Sequence, residues 1–125
     1  MATPAQSLTI VVPLFNEADG LVPLWARLAP VLDALAAEVT ASVLFVDDGS
    51  RDDSLDRVVH MAASDDRVGY LALSRNFGKE IAMSAGLDHA DSDWVVLIDA
   101  DLQDPPELIP ALLARAREGY DNVYA

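Results

Sequence analysis

The chain contains no cysteine and few basic residues, and each shortage excludes a class of function. Without cysteine it can form neither disulfides nor thiolate metal sites. Eight Lys and Arg residues stand against 21 Asp and Glu, which gives a net charge of −13. Such a surface would repel a phosphate backbone, so we expect no nucleic-acid partner. Acidic clusters suit metal ions, although we expect most of these carboxylates to be simply solvated.

Long hydrophobic runs are also missing, because no apolar stretch approaches the roughly 20 residues that a helix needs to cross a bilayer. Short apolar runs alternate instead with amphipathic helical patterns. These runs predict strands at residues 8–12 (stopped by Pro13), 42–46, 68–73 and 94–98, with the start of a fifth at 121–125. The alternation predicts an α/β fold with a mostly parallel sheet and helices on both faces.

The fourth apolar run ends in two acids with one residue between them, Asp99-Ala100-Asp101. Residues two apart on an extended backbone point to the same side, so both carboxylates can reach one point. Ligands of α/β sheets bind at the carboxyl ends of the strands. Two hard oxygen donors at such a place suit Mg²⁺ or Mn²⁺, which typically bring a substrate phosphate with them.

Polar side chains also follow the other three predicted strands. In chain order they are Asn16 and Glu17, then Asp47 and Asp48, then Arg75, Asn76 and Lys79. All these loops lie at one edge of a parallel sheet, so their side chains can converge on a single ligand. Such a ligand needs anionic parts for Arg75 and Lys79, a metal bridge to the acids, and neutral donors such as base N–H or ribose hydroxyl groups for the other carboxylates. A nucleoside diphosphate with a divalent metal meets all three demands.

Each loop also has an ordinary explanation. Asp47-Asp48-Gly49-Ser50 can be read as turn and cap chemistry, and Ser50 with Asp53 resembles a capping box for the second helix. Arg75 and Lys79 can be read as surface ion pairs. The convergence of all four loops favours the common ligand.

The segments VVPLFNE, FVDDGSRDDS, LSRNFGKE and DADLQDPPE, in this order and spacing, resemble the family 2 glycosyltransferases with a GT-A fold. The resemblance runs from about Leu8 to Ala125 and points to the polyprenyl-phosphate (dolichol-phosphate) branch. It implies a Rossmann-like nucleotide-binding half and a metal, Mg²⁺ or Mn²⁺. It also implies inverting transfer of a hexose from a nucleotide sugar, with UDP favoured over GDP, to a polyprenyl phosphate.

The resemblance further implies which residues form the site. The nucleotide-sugar-binding residues, motif by motif, are Pro13, Phe15 and Glu17; Val46, Asp47 and Asp48; Arg75, Asn76 and Lys79; and Asp99, Ala100 and Asp101. Within the second motif, Asp48 is slightly favoured as the contact to base or ribose. The metal ligands are Asp99, Asp101 and Gln103, and the two acids are also the catalytic candidates.

Members of that family continue beyond this length into an acceptor-binding half, and many then add membrane helices. We therefore expect residues 1–125 to be the N-terminal donor-binding part of a longer enzyme, truncated before the acceptor half. The parent would work on the cytoplasmic face of the inner membrane, attached through segments absent here. The piece alone would bind donor without transferring sugar, and its uncovered sheet edges would favour self-association.

Two other classes carry acids at strand ends. Haloacid-dehalogenase-like phosphatases use a DxD with Mg²⁺, but the motif usually follows the first strand, and Thr or Val commonly stands in place of Gln103. Receiver-type signalling domains share the length, acidity and βα alternation. Their acidic pair follows the first strand and their phosphorylated Asp the third, where this chain has Pro13 and Ser74-Arg75. Both remain alternatives to the glycosyltransferase reading.

Overall fold

A computed structural model describes residues 6–103 and 105–118, in which strands and helices alternate. The strands are β1 (Ser7–Leu14), β2 (Thr40–Asp47), β3 (Val68–Ala72) and β4 (Trp94–Leu97). The α-helices are α1 (Ala18–Leu35), α2 (Ser54–Ser64), α3 (Lys79–His89) and α4 (Ile109–Arg117), and a 3₁₀ turn, Pro106–Leu108, precedes α4. The fifth strand predicted at 121–125 lies outside the described residues.

The strands form one parallel sheet in the order β3-β2-β1-β4. Parallel strands covered on both faces are continuously apolar, which is the pattern that the sequence shows in these runs. β1 continues through Pro13 to Leu14, so the prediction that Pro13 ends this strand is wrong. Pairing with β4 stops at Val11, whereas pairing with β2 continues to Leu14. The proline therefore lies beyond the β1–β4 ladder, where its missing N–H costs no sheet bond on that side.

Helices cover both faces of the sheet, which confirms the predicted α/β class. The larger core lies between the sheet and α1, α2 and α4, with Phe45 fully buried in it. Helix α3 packs on the other face against Val11 and Val46. Gly86 allows this close approach, because a Cβ there would lie 2.5 Å from Val11 Cγ1. No helix within 6–103 and 105–118 has the length and hydropathy needed to cross a membrane.

Candidate functional site

A cleft of about 350 Å³ opens at the carboxyl edge of the sheet and takes residues from the loops after β1, β2 and β4 and from the first turn of α3. The predicted site residues that line it are Pro13, Phe15, Glu17, Asp48, Lys79, Asp99, Ala100, Asp101 and Gln103. Leu14 and Ala82 line it as well, although no polar signal marked them in the sequence. Ala82 belongs to the small-residue helix α3, whose close packing brings its N-terminal turn to the cleft.

Four predicted residues lie outside the lining of this cleft. Val46 is fully buried beneath α3, and Asp47 is 3% exposed with its Oδ2 accepting the Ser50 N–H at 3.1 Å. The Arg75 guanidinium lies 4.7 Å from the centre of the Phe77 ring, and the Asn76 amide donates to Asp48. These side chains therefore support the loops of the cleft rather than face into it.

Asp48 joins the second loop to the third. One carboxylate oxygen accepts the Phe77 N–H at 2.9 Å, and the other accepts the Gly78 N–H and the Asn76 amide, both at 3.1 Å. Charge-assisted bonds to backbone N–H groups are stronger than neutral ones. Gly49 strengthens the same junction, because it lets the backbones of the two loops touch. Asp48 thus holds the loop that carries Lys79 while lining the cleft.

The loop after β4 contributes to both the cleft and the larger core. Asp99, Ala100, Asp101 and Gln103 line the cleft, with Ala100 almost fully buried, whereas Leu102 packs against the larger core. Leu102 adopts a left-handed backbone with φ of 64°, which is strained for a branched side chain. The Gln103 N–H donates to Asp101 Oδ1 at 3.2 Å and closes a tight turn. This turn presents two carboxylates and an amide to the same space.

The donor set suits a cation that shares its coordination with a ligand. Across the described residues, no cluster of three or more His, Cys, Asp or Glu side chains is arranged to hold a metal ion. Asp99 and Asp101, with the Gln103 amide, offer fewer oxygens than the octahedral shell of Mg²⁺ demands. Phosphate oxygens and water complete such shells in nucleotide sites, so these residues fit Mg²⁺ or Mn²⁺ bound together with a diphosphate.

Glu17 is a partly buried acid beside other acids. Its pKa is raised, first by burial and then by the negative charges of Asp101 and Asp52. A Cβ on Gly20 would lie 3.1 Å from Glu17 Oε2 and 3.7 Å from the Ala100 carbonyl oxygen. Glu17 therefore faces the acidic loop after β4 across the start of α1, where a ligand donor or cation would relieve the repulsion.

The second loop does not form the predicted capping box. Helix α2 begins at Ser54, and its N-cap residue Asp53 makes no side-chain capping bond. The Ser50 hydroxyl accepts the N–H of Asn16 instead. This prediction was wrong because the helix starts later than the pattern suggested, so Ser50 lies three residues before the N-cap.

A family model described as "Glycosyl transferase family 2" matches residues 9–125. The uncharacterized glycosyltransferase sll0501 of Synechocystis sp. (strain ATCC 27184 / PCC 6803 / Kazusa) is 51% identical over 118 residues. That alignment covers 94% of this chain but 36% of the relative, so the chain spans only part of the relative's length.

Two solved structures share the fold. The mannosyltransferase PcManGT from Pyrobaculum calidifontis, in complex with GDP-Man and Mn²⁺, is 25% identical with a TM-score of 0.63. The alignment covers 81% of this chain and 28% of that one. Glucosyl-3-phosphoglycerate synthase from Mycobacterium tuberculosis, in complex with uridine diphosphate, is 24% identical with a TM-score of 0.71. This alignment covers 92% of this chain and 41% of the synthase chain. The sheet described above is therefore GT-A-like.

Proposed function

Because this chain belongs to glycosyl transferase family 2, we propose that its cleft binds the nucleotide-sugar donor of a glycosyl transfer together with a divalent cation. The observation that carries this proposal is the convergence of Asp99, Asp101 and Lys79 with Phe15 and Glu17 in one cleft. The set combines oppositely charged groups, among them the Lys79–Asp99 ion pair, with an aromatic ring. A nucleoside diphosphate has matching anionic and aromatic parts.

We assign two groups of lining residues to different parts of the donor. Asp99, Asp101 and Gln103 would hold Mg²⁺ or Mn²⁺, and Lys79 would contact the diphosphate as a point charge. Pro13, Phe15 and Glu17 would hold the nucleoside, with the Ala100 backbone near the ribose. The support for this division is the chemistry of the lining residues, because carboxylates, an amide and an ammonium suit a metal and a diphosphate, whereas an aromatic ring suits a base.

Of the second motif, Asp48 is our choice for the contact to base or ribose. A carboxylate has about four acceptor sites. Three donors from the third loop already form hydrogen bonds with the Asp48 carboxylate. About one acceptor site therefore remains for a ligand N–H or O–H. Val46 and Asp47 are buried outside the cleft, and Arg75 and Asn76 are engaged by Phe77 and Asp48. We therefore propose supporting roles for these four.

The chemistry that follows is charge stabilisation rather than proton transfer. The proposed acceptor is a polyprenyl phosphate, whose oxygen is ionised at neutral pH and needs no strong general base. A bound divalent ion would supply positive charge at the departing diphosphate. In this proposal Asp99 and Asp101 would hold the divalent ion in place, and Lys79 would add a second positive charge. The other lining residues would orient the nucleoside.

The choice of acceptor, sugar and place rests on the resemblance of the four motifs to the polyprenyl-phosphate branch. We propose a parent enzyme attached to the cytoplasmic face of the inner membrane, with inverting transfer and a UDP-sugar favoured over a GDP-sugar. Residues 1–125 would then be its donor-binding part and inactive alone. A coupled assay for nucleoside diphosphate release, with UDP-glucose and a short polyprenyl phosphate, tests the last point, because turnover by this chain alone would refute it.

Self-association is a separate proposal. β4 lies at the edge of the described sheet, and its Val95 and Leu97 side chains are each 37% exposed. An uncovered apolar edge strand can pair with a second copy. Size-exclusion chromatography with light scattering should show dimers or larger species at high concentration, and a clean monomer there would refute the proposal.

The phosphatase and receiver alternatives lose their support from the topology. In both classes an acidic motif follows the first strand, whereas here Asp99 and Asp101 follow β4. Receiver domains also have the sheet order 2-1-3-4-5, in which the first strand lies between the second and third. Here β1 lies between β2 and β4.

The proposal is tested by calorimetric titration of the chain with UDP and with GDP, in Mn²⁺ and then in EDTA. We expect metal-dependent binding of one nucleotide, which also selects the base. Asp101→Asn should abolish the metal dependence, while Asp66→Asn, an exposed acid before β3, should preserve it. Equal binding with and without metal in the unaltered chain would contradict the cation site, and no binding of either nucleotide would contradict the donor site in this chain.

A further inference from the structure

The β1–α1 loop and the β2–α2 loop are joined by hydrogen bonds centred on Asn16. Its Oδ1 accepts the backbone N–H of Arg51 at 2.8 Å and that of Asp52 at 3.4 Å. Its own backbone N–H donates to Ser50 Oγ at 2.9 Å. These three bonds, called here the Asn16 latch, tie the residue after Phe15 to the second loop.

The second loop also caps helix α1. The Glu17 N–H donates to Ser54 Oγ at 2.9 Å, and the Ala18 N–H donates to Asp52 Oδ2 at 3.3 Å. Glu17 is the N-cap residue of α1 and makes no side-chain capping bond of its own. Side chains more than 30 positions along the chain therefore satisfy donors that a helix normally caps locally.

Asn16 separates two residues that line the cleft. Phe15 and Glu17 belong to the lining, and Asn16 lies outside it, bonded to the second loop. The backbone of Asn16 is left-handed, with φ of 53°, a conformation that Asn tolerates better than most residues. This turn and the latch together set where the ring of Phe15 and the carboxylate of Glu17 stand.

We propose that Asn16 is a positioning residue for nucleoside binding in the cleft and acts through Phe15 and Glu17. The inference rests on the proposed function, because it assumes that these two side chains hold a nucleoside. None of the latch bonds involves Asp99 or Asp101. Glu17 lies near the loop after β4, so loss of the latch should weaken nucleotide binding mainly through the nucleoside and affect the metal and diphosphate contacts much less.

The test compares two substitutions of Asn16 in the full chain. Asn16→Gly keeps the left-handed backbone accessible but removes the acceptor, and Asn16→Asp restores an acceptor. Calorimetry with Mn²⁺ measures the affinity for UDP, GDP and inorganic pyrophosphate. We expect about tenfold weaker nucleotide binding in Asn16→Gly, with pyrophosphate affinity within about twofold and most of the nucleotide affinity recovered in Asn16→Asp.

Asp65→Ala is the matched control for stability. It removes the side-chain bonds to the Arg67 N–H and guanidinium before β3, at the opposite edge of the sheet. Urea unfolding should show a loss of stability in Asn16→Gly and in the Asp65 variant. Only Asn16→Gly should also bind nucleotide more weakly. Unchanged nucleotide affinity in Asn16→Gly, or an equal loss of pyrophosphate affinity, would overturn the positioning role.

Ser50→Ala provides a second test, and the unaltered chain separates this inference from the proposed function. If Asn16→Gly does not fold, Ser50→Ala removes a single latch bond and should give the same selective defect at a smaller size; full nucleotide affinity in Ser50→Ala would then overturn the inference. If the unaltered chain binds neither nucleotide, the proposed function fails and this inference fails with it. A failure confined to the variants leaves the proposed function standing.

Discussion

The ammonium of Lys79 pairs with the carboxylate of Asp99 in the cleft. Lys79 begins α3 and Asp99 follows β4, so the pair connects the third and fourth loops. The Lys79 side chain is 60% exposed, and exposed ion pairs contribute little stability. A phosphate that offers a stronger charge-assisted bond can therefore take over this ammonium at small cost.

Lys79 is the single lysine of the sequence, which makes its environment measurable by amine chemistry. An acylating reagent should modify Lys79 several-fold more slowly in the presence of Mn²⁺ and the nucleotide that binds. The reason is that a bound diphosphate would shield the amine from the reagent and favour its protonated form, which does not react. Mass spectrometry of the digested chain gives both rates, with the N-terminal amine as the internal control. Equal labelling of Lys79 with and without nucleotide would contradict its contact with the diphosphate.

Gly49→Ala should be among the most damaging single changes at the site. Its φ is 71°, and an added Cβ would lie 2.3 Å from the carbonyl carbon of Arg75. Left-handed strain and overpacking together should cost about 3 kcal/mol or more. Gly78→Ala is the matched control, because its φ of 108° is also strained but its Cβ would meet nothing within 4 Å. Urea unfolding should rank Gly49→Ala well below Gly78→Ala, and equal losses would contradict the loop-to-loop contact.

The left-handed backbone of Leu102 should reverse the usual stability order of alanine and glycine replacements at this position. Both replacements remove the same packing, but only glycine adopts the left-handed φ without cost. Leu102→Gly should therefore be more stable than Leu102→Ala by about 1 kcal/mol in urea unfolding. At Met61, partly buried in α2, alanine should be the more stable replacement by about the same amount. The same order at both positions would show that Leu102 carries no backbone strain.

The raised pKa of Glu17 predicts that this residue lowers stability at neutral pH. An acid whose pKa is higher in the folded state binds protons more tightly there, so its ionisation favours unfolding. Glu17→Gln should raise the free energy of unfolding at pH 7, measured in EDTA. The gain should shrink as the pH falls through the raised value and vanish below the ordinary value of 4.5. Glu80→Gln, an exposed acid on α3, should give no such gain, and a destabilised Glu17→Gln at pH 7 would contradict the prediction.

The sequence alone predicted the α/β class, the parallel sheet and the edge where the loops meet. These features follow from local patterns, since apolar runs and helical spacing are visible within a dozen residues. The acid pair of Asp99 and Asp101 could be found in the same way, because two residues on one extended backbone share a side. The structure brings nine of the predicted site residues to one cleft.

What the tertiary structure decided is which member of each motif faces that cleft. The sequence favoured Asp48 only slightly over Asp47, and in the structure Asp48 lines the cleft while Asp47 is bonded to the Ser50 N–H. Arg75 and Asn76 turn to Phe77 and to Asp48. The physical reason is that Asp48 and Asn16 bond to loops about 30 positions away, which a local pattern does not encode, whereas Asp47 and Arg75 contact partners two or three residues along the chain. Strand ends bring polar groups to one place, and the pairing among them selects those that face the cleft.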